Sequence, residues 1–251
     1  MLLTPELVAR ISPYVGDPVS LPGTPPSDSD YDRVIREFLA TAPSSDAVWL
    51  FAYGSLIWNP ACDFVERRVG IVPGWHRSFC LGWDRWFRGS DKHPGLMLSL
   101  DRGGQCKGTV YRLPPDALEI NLGKLFRREI RIKSAAHVAR WVNVRTAAGQ
   151  VRAITFVINR KGSHYVGGLS LDAIADVLAA AVGPRGSMAE YLYSTVHHLE
   201  ELGIHDSQMW LLQEMVAQRI TAADCPVPDR VVKQEDSPQP AAEKLPVSAR
   251  R

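Results

Sequence analysis

The chain has 251 residues, a formal net charge of +2, 45% apolar and 22% charged residues, the balance of a globular protein with a substantial core. No Lys/Arg-rich run stands out, which argues against a nucleic-acid partner, and no uninterrupted apolar run approaches the ~20 residues that span a bilayer, which argues against a membrane partner. The four cysteines, Cys62, Cys80, Cys106 and Cys225, stand at neither CxxC nor zinc-ligand spacing, so free thiols in a reducing cytoplasm are expected rather than a disulfide framework or a metal site.

Residues 1–46 read as an N-terminal extension with one short helix. Met1 to Pro18 lack the basic segment and long apolar core of a signal peptide, in keeping with a cytoplasmic location. Leu21 to Asp28 form a Pro/Gly/Ser linker, and the helix follows from about Asp30 to Thr41, with Val34, Ile35, Phe38 and Leu39 on its apolar face. From 47 to about 160 the pattern is mostly strands. Val48 to Tyr53 is a continuous apolar run ended by Gly54, the pattern of a fully buried strand. Further strands are expected at Phe64–Val72, His76–Gly82, Leu96–Leu100, Gln105–Leu113, Val138–Thr146 and Val151–Asn159, with hairpin turns at Asp101–Gly104 and Ala147–Gln150. One helix interrupts them, opened by Pro114 and Pro115 and running through Leu118, Leu122, Leu125 and Phe126 towards Glu129.

The region 170–220 is helical. Leu171, Ile174, Val177 and Leu178 recur at helical spacing after Ser170; Ser187-Met188-Ala189-Glu190 matches a capping box whose helix stops at Gly203; a last helix starts near Asp206. Residues 221–251 hold several Pro and no apolar period, the pattern of a disordered tail. The fold class expected is α+β, with a closed or nearly closed sheet flanked by helices.

Two places carry candidate chemistry. A glycine directly after a buried strand allows a tight turn at Tyr53-Gly54-Ser55-Leu56, whose backbone N–H groups lack sheet partners and can converge on an anion or a polarised carbonyl. The same four residues are also compatible with an ordinary turn. Glu129 sits at or just past a helix end among apolar neighbours. Burial favours its neutral form and an approaching ammonium its charged form, a balance suited to proton transfer; a salt bridge with Arg127 or Arg128 is the other reading. His197 and His198, adjacent on one helix, do not face a common ligand. Ser55 lacks the GxSxG elbow, and neither a GxxxxGK[ST] loop nor a GxGxxG after a strand is present, so a hydrolase triad and a nucleotide cofactor are both disfavoured. The crowding of Trp residues between Trp49 and Trp86 suits an aromatic core or a pocket lining.

Taken together, six ordered segments resemble the ChaC family of γ-glutamylcyclotransferases. They are Trp49–Pro60, Gly74–Leu81, Pro94–Leu100, Gly108–Leu113, Arg127-Arg128-Glu129, and Gly183–Ser187 with Glu190-Tyr191-Leu192. The resemblance spans about residues 47–220, here the expected catalytic domain, and implies a small mixed β-barrel flanked by helices. It implies a lyase that breaks glutathione into 5-oxoproline and cysteinylglycine, by attack of the substrate's α-amine on its own γ-glutamyl carbonyl, with neither metal nor cofactor. Carried onto this chain, Glu129 becomes the general acid and base, and the backbone of Leu50, Phe51, Ala52, Tyr53, Gly54, Ser55 and Leu56 the cradle for the glutamyl group. Another γ-glutamyl peptide or amine as substrate, or a non-catalytic binding role, stays open. The chain departs from many relatives in having no Tyr shortly after Glu129, where His137 is the nearest candidate, and in having Leu96 and Met188 where relatives carry Arg and Asn.

Overall fold

The computed structural model describes residues 1–223 apart from 12, 15, 17–19, 22, 43–46 and 132–135. The apolar run before Gly54 forms β1, Trp49–Ala52, buried along its whole length. Two long strands follow, β2 at Glu66–Asp84 and β3 at Gly95–Arg112, then a hairpin of β4, His137–Thr146, and β5, Gly149–Ile158. The five strands close a barrel in the order β1-β3-β2-β4-β5, with β5 meeting β1 in parallel. A mixed barrel needs that parallel contact because β1 already pairs antiparallel with β3, Trp49 opposite Arg112 and Ala52 opposite Thr109.

Four expected strands are in fact two. β2 and β3 run as one antiparallel ribbon from Glu66 opposite Arg112 to Asp84 opposite Gly95. The turn expected at Asp101–Gly104 does not exist: the strand continues through it. Gly103 and Gly104 take positive φ of 110° and 61°, beside Gly74 at 79° on the facing strand, where the register shifts between Pro73 and Trp75. Glycine pairs there bend the ribbon rather than end it, as at a bulge. The chain reverses instead in the 85–94 loop, at one end of the barrel. The turn after Thr146 is as expected, with Thr146 opposite Gly149.

Among the described residues, six α-helices surround the barrel. The extension contributes two, not one: α1, Pro5–Val8, and α2, Asp28–Ala40. Ser27 accepts from the Asp30 N–H and the Asp30 carboxylate answers the Ser27 N–H, a full capping box that starts α2 two residues early. The helix expected from Pro114 begins as a 3-10 turn, Pro115–Ala117, and becomes α3 at Leu118–Glu129. The others are α4, Leu171–Ala180, α5, Met188–Glu201, and α6, Ser207–Ala223. A two-residue hairpin of β6, Val182–Gly183, and β7, Gly186–Ser187, joins α4 to α5. Ser187 caps α5, but only half of the expected capping box forms, because Glu190 turns to Arg88 at 2.8 Å. Residues 221–223 of the expected tail belong to α6, and the remainder lies outside the described residues. One continuous core joins barrel and helices, including Leu3 of the extension, whose N–H and that of Leu2 both donate to Gln213 Oε1. No helix of the described residues is long and apolar enough to cross a membrane.

Candidate active site

β1 ends at Ala52, and the chain turns into a 3-10 segment at Ser55–Ile57 beside the C-terminus of α3 and the start of α5. A cavity of about 380 Å³ opens there. That is within the size range of small-molecule sites. Its lining includes Tyr53, Gly54, Ser55 and Leu56 on one side and Glu129 and His137 on another. Leu50, Phe51 and Ala52 do not reach it: they are fully buried, and their backbone is committed to β3 and, at Leu50, to β5. The expected cradle therefore divides into three sheet residues behind and four turn residues at the cavity.

Three contacts fix the turn. Buried Arg77 on β2 donates through Nε to the Tyr53 carbonyl at 2.6 Å and through Nη2 to the Lys107 carbonyl at 2.7 Å, and it pairs with Asp206. In a trans peptide the C=O and the next N–H point opposite ways. With the Tyr53 carbonyl held by Arg77, the Gly54 N–H points away from Arg77, and it has no hydrogen-bond partner among the described residues. Glycine is required at 54 by close approach, since a Cβ would stand 3.1 Å from Tyr191 Oη and 3.4 Å from Leu98 Cδ2. Lastly, Ile57 N–H donates to the Gly54 carbonyl at 2.8 Å, closing the turn.

Glu129, the last residue of α3, has only 14% of its side chain exposed. Arg128 links it to the turn: Nη2 donates to Ser55 Oγ at 3.0 Å, Nη1 donates to the Asn59 carbonyl at 2.6 Å, and Nε lies 3.6 Å from Glu129 Oε1. The ion pair weighed as an alternative to chemistry is thus part of the same arrangement, while Arg127 goes elsewhere, to Asp28 at 2.7 Å. On its other side Glu129 Oε2 is 3.4 Å from His137 Nδ1. The histidine does stand near the carboxylate, as its place in the sequence suggested. Leu96 and Met188 do not share that wall. Both are fully buried in the core, Leu96 behind Gly82 and Met188 behind Gly95.

Tyr191 of α5 was quoted from the sequence only as part of a matching segment, yet it lines the cavity against Gly54. Burial, and then the nearby negative charge of Glu129, push its phenol up to about 12, so at neutral pH it is a hydrogen-bond donor and not a base. Tyr53 differs, because its hydroxyl already donates to the Phe156 carbonyl at 2.9 Å. Trp58, Trp83 and Trp86 also line the cavity, so part of the Trp-rich stretch is pocket and part is barrel, with Trp49 under Arg68 and Trp75 under Arg102. The 85–94 loop was not recognised as part of the site. Its first turn is held by the buried Asp84 carboxylate, which accepts from the N–H groups of Trp86, Phe87 and Arg88 at 3.0, 3.1 and 2.7 Å. An Asp at a strand end accepting from the next few N–H groups is a recognisable signal. Among the described residues no His/Cys/Asp/Glu group is arranged to hold a metal ion.

This geometry can stabilise a carbonyl oxygen at the turn while a carboxylate across the cavity moves a proton. The ChaC-like protein family model matches residues 48–219. A glutathione-specific γ-glutamylcyclotransferase of Escherichia coli K12 is 40% identical over 169 residues, 67% of this chain and 72% of that protein. Glutathione-specific γ-glutamylcyclotransferase 1 of Homo sapiens is 30% identical over 185 residues, 72% and 82% of the two chains. The crystal structure of a yeast γ-glutamyl cyclotransferase specific to glutathione superposes with a TM-score of 0.62 at 20% identity, covering 69% of this chain and 97% of that one, which supports the fold. With a family match over the whole barrel and the helices after it, the chain belongs to the ChaC-like protein family.

Proposed function

We propose that the protein is a glutathione-specific γ-glutamylcyclotransferase, with Glu129 as general acid and base. The observation that carries this reading is a single cavity in which the Glu129 carboxylate and the Tyr53–Leu56 turn meet, tied together by Arg128. The bacterial and human relatives, both named as glutathione-specific, point to the same substrate.

The α-amine of glutathione is an ammonium at neutral pH and has no lone pair to donate. Glu129 takes one proton from it, and the free amine adds to the γ-glutamyl carbonyl, forming the C–N bond of a five-membered ring. The developing oxyanion faces the Gly54 N–H and the neighbouring turn. The proton on Glu129 then passes to the cysteinyl nitrogen as its bond to the γ-carboxyl carbon breaks. The freed carboxylate takes the second proton from the ring nitrogen and hands it to the departing amine, so 5-oxoproline and the ammonium form of cysteinylglycine leave with no water consumed. General acid–base transfer of this kind contributes about 10²–10⁴-fold, and each well-placed oxyanion donor about 3 kcal/mol. Amine and carbonyl already belong to one molecule, so the pocket's positioning contribution is confined to fixing the few rotatable bonds of the glutamyl chain in the folded-back geometry. His137 beside Glu129 Oε2 and Arg128 beside Oε1 hold the carboxylate in place for both transfers.

Residues 47–220 are assigned as the catalytic domain and 1–46 as an extension packed on it. A reducing cytoplasm suits the chain, whose Cys62, Cys80 and Cys106 are unpaired and buried. The test is product analysis with purified protein and glutathione. Cyclotransfer gives 5-oxoproline and cysteinylglycine in equal amounts, whereas free glutamate in place of 5-oxoproline would mean hydrolysis and would defeat this reading.

A further inference from the structure

Arg131 and Arg185 come from distant parts of the chain and meet over one ring at the cavity. The Arg131 guanidinium carbon lies 4.8 Å from the Phe87 ring centroid and that of Arg185 lies 5.2 Å from it. All three residues line the cavity that holds Glu129. Neither guanidinium meets a carboxylate among the described residues, although the cavity's other arginines do, Arg88 with Glu190 and Arg128 with Glu129. Their placement is built. Arg131 Nε donates to the Arg128 carbonyl at 3.0 Å, the Arg185 N–H donates to the Phe87 carbonyl at 2.8 Å, and Gly183 is packed so tightly on the same loop that a Cβ would stand 2.5 Å from that carbonyl. Two cations sharing one ring repel each other, and this costs free energy unless an anion sits between them. Burial and the like charge of Arg185 both make the Arg131 cation harder to maintain.

We propose that Arg131 and Arg185 form the receptor for the terminal carboxylate of the substrate's leaving group, so that the site selects γ-glutamyl peptides over γ-glutamyl amines. The inference rests on the cyclotransfer reading for where the glutamyl end lies. Its reach is consistent with the chain itself. Arg131 lies two positions after Glu129, with Ile130 between them, and cysteine and glycine link the scissile carbonyl to the carboxylate; each span is at most about 7 Å. Planar guanidinium groups suit a carboxylate, which each can bind through two parallel N–H donors. Each guanidinium also packs on the Phe87 ring, which lines the same cavity.

The experiment compares glutathione with its glycyl ethyl ester, which keeps every reacting atom and loses only the terminal charge. The parent protein should show a KM for the ester raised about tenfold with kcat little changed, the effect of losing a charge-assisted pair from ground and transition state alike. Arg131→Met and Arg185→Met, which keep the stems packed on Phe87, should each raise KM for glutathione and not for the ester. The double variant should treat the two compounds alike, and Arg185→Lys should restore part of the preference. Variants that fold as the parent by circular dichroism yet keep the full preference for the free acid overturn the inference. Calorimetric titration of both compounds into Glu129→Gln protein measures binding without turnover. Equal affinity for acid and ester there also overturns it. Preference for the acid, in a protein whose parent releases no 5-oxoproline, upholds the carboxylate receptor and defeats the cyclotransfer reading instead.

Discussion

At the scale of single residues, the site depends on a few positions with little room for substitution. Gly54 is one of them, because a Cβ there would stand 3.1 Å from Tyr191 Oη and 3.4 Å from Leu98 Cδ2. Gly54→Ala should push the turn and the tyrosine apart by a few tenths of an ångström. Misplacement on this scale costs catalysis more than stability, so kcat/KM for glutathione should fall about tenfold or more while the free energy of unfolding falls by no more than about 1 kcal/mol. Steady-state kinetics beside urea denaturation checks both. Glu129 and Gly54 were legible as candidates because each combines a residue type with a position: a carboxylate at a helix end, a glycine at a strand end. Tyr191 was not, since nothing local distinguishes a tyrosine in the first turn of an amphipathic helix from core packing. Only the fold brings it across to the turn.

At the scale of elements, the turn is held from behind by a ribbon that the sequence pattern divided wrongly. Gly74, Gly103 and Gly104 read as places where strands stop, yet facing glycines with positive φ let β2 and β3 bend together and continue. Helices were legible nearly to the residue where a cap was present, as at Ser27, Ser170 and Ser187. The four-residue α1 was missed because so short a segment has no apolar period, although Thr4 caps it and Leu3 before it is fully buried. Arg77 lies in β2, outside the cavity, and ties β2 to the Tyr53 carbonyl and to Asp206 before α6. Arg77→Met keeps the stem, strands the Asp206 carboxylate and frees the carbonyl that orients the Gly54 peptide. Removing one partner of a buried pair costs about 3 kcal/mol or more, and here about 3 is expected because Asp206 is partly exposed. That corresponds to a thermal midpoint lowered by roughly 6–12 °C for a chain of this size, read by differential scanning calorimetry.

At the scale of the whole molecule, the architecture assembles a reaction centre from segments far apart in sequence. β1 delivers the turn, α3 ends on the carboxylate, α5 covers the glycine, and the segment after α3 and the β6–β7 hairpin bring Arg131 and Arg185 to Phe87 of the 85–94 loop. Composition and periodicity indicated an α+β chain with a curved sheet, and the resemblance supplied the barrel. What they left out was the wall of the cavity. Leu96 and Met188, noted as departures from relatives, are core residues, while Phe87, Arg131 and Arg185 line the cavity without any local motif to mark them. Side-chain direction on irregular segments is set by tertiary contacts, such as the Asp84 carboxylate that winds the loop, and not by sequence period. The central claim is that one carboxylate moves the proton in both directions across a site that otherwise only positions its substrate. It is tested most directly by the rate of 5-oxoproline release from glutathione by Glu129→Gln, an isosteric change, beside the parent protein with matched circular dichroism. A loss of about 10²–10⁴-fold in kcat is predicted, and release at the parental rate would contradict it.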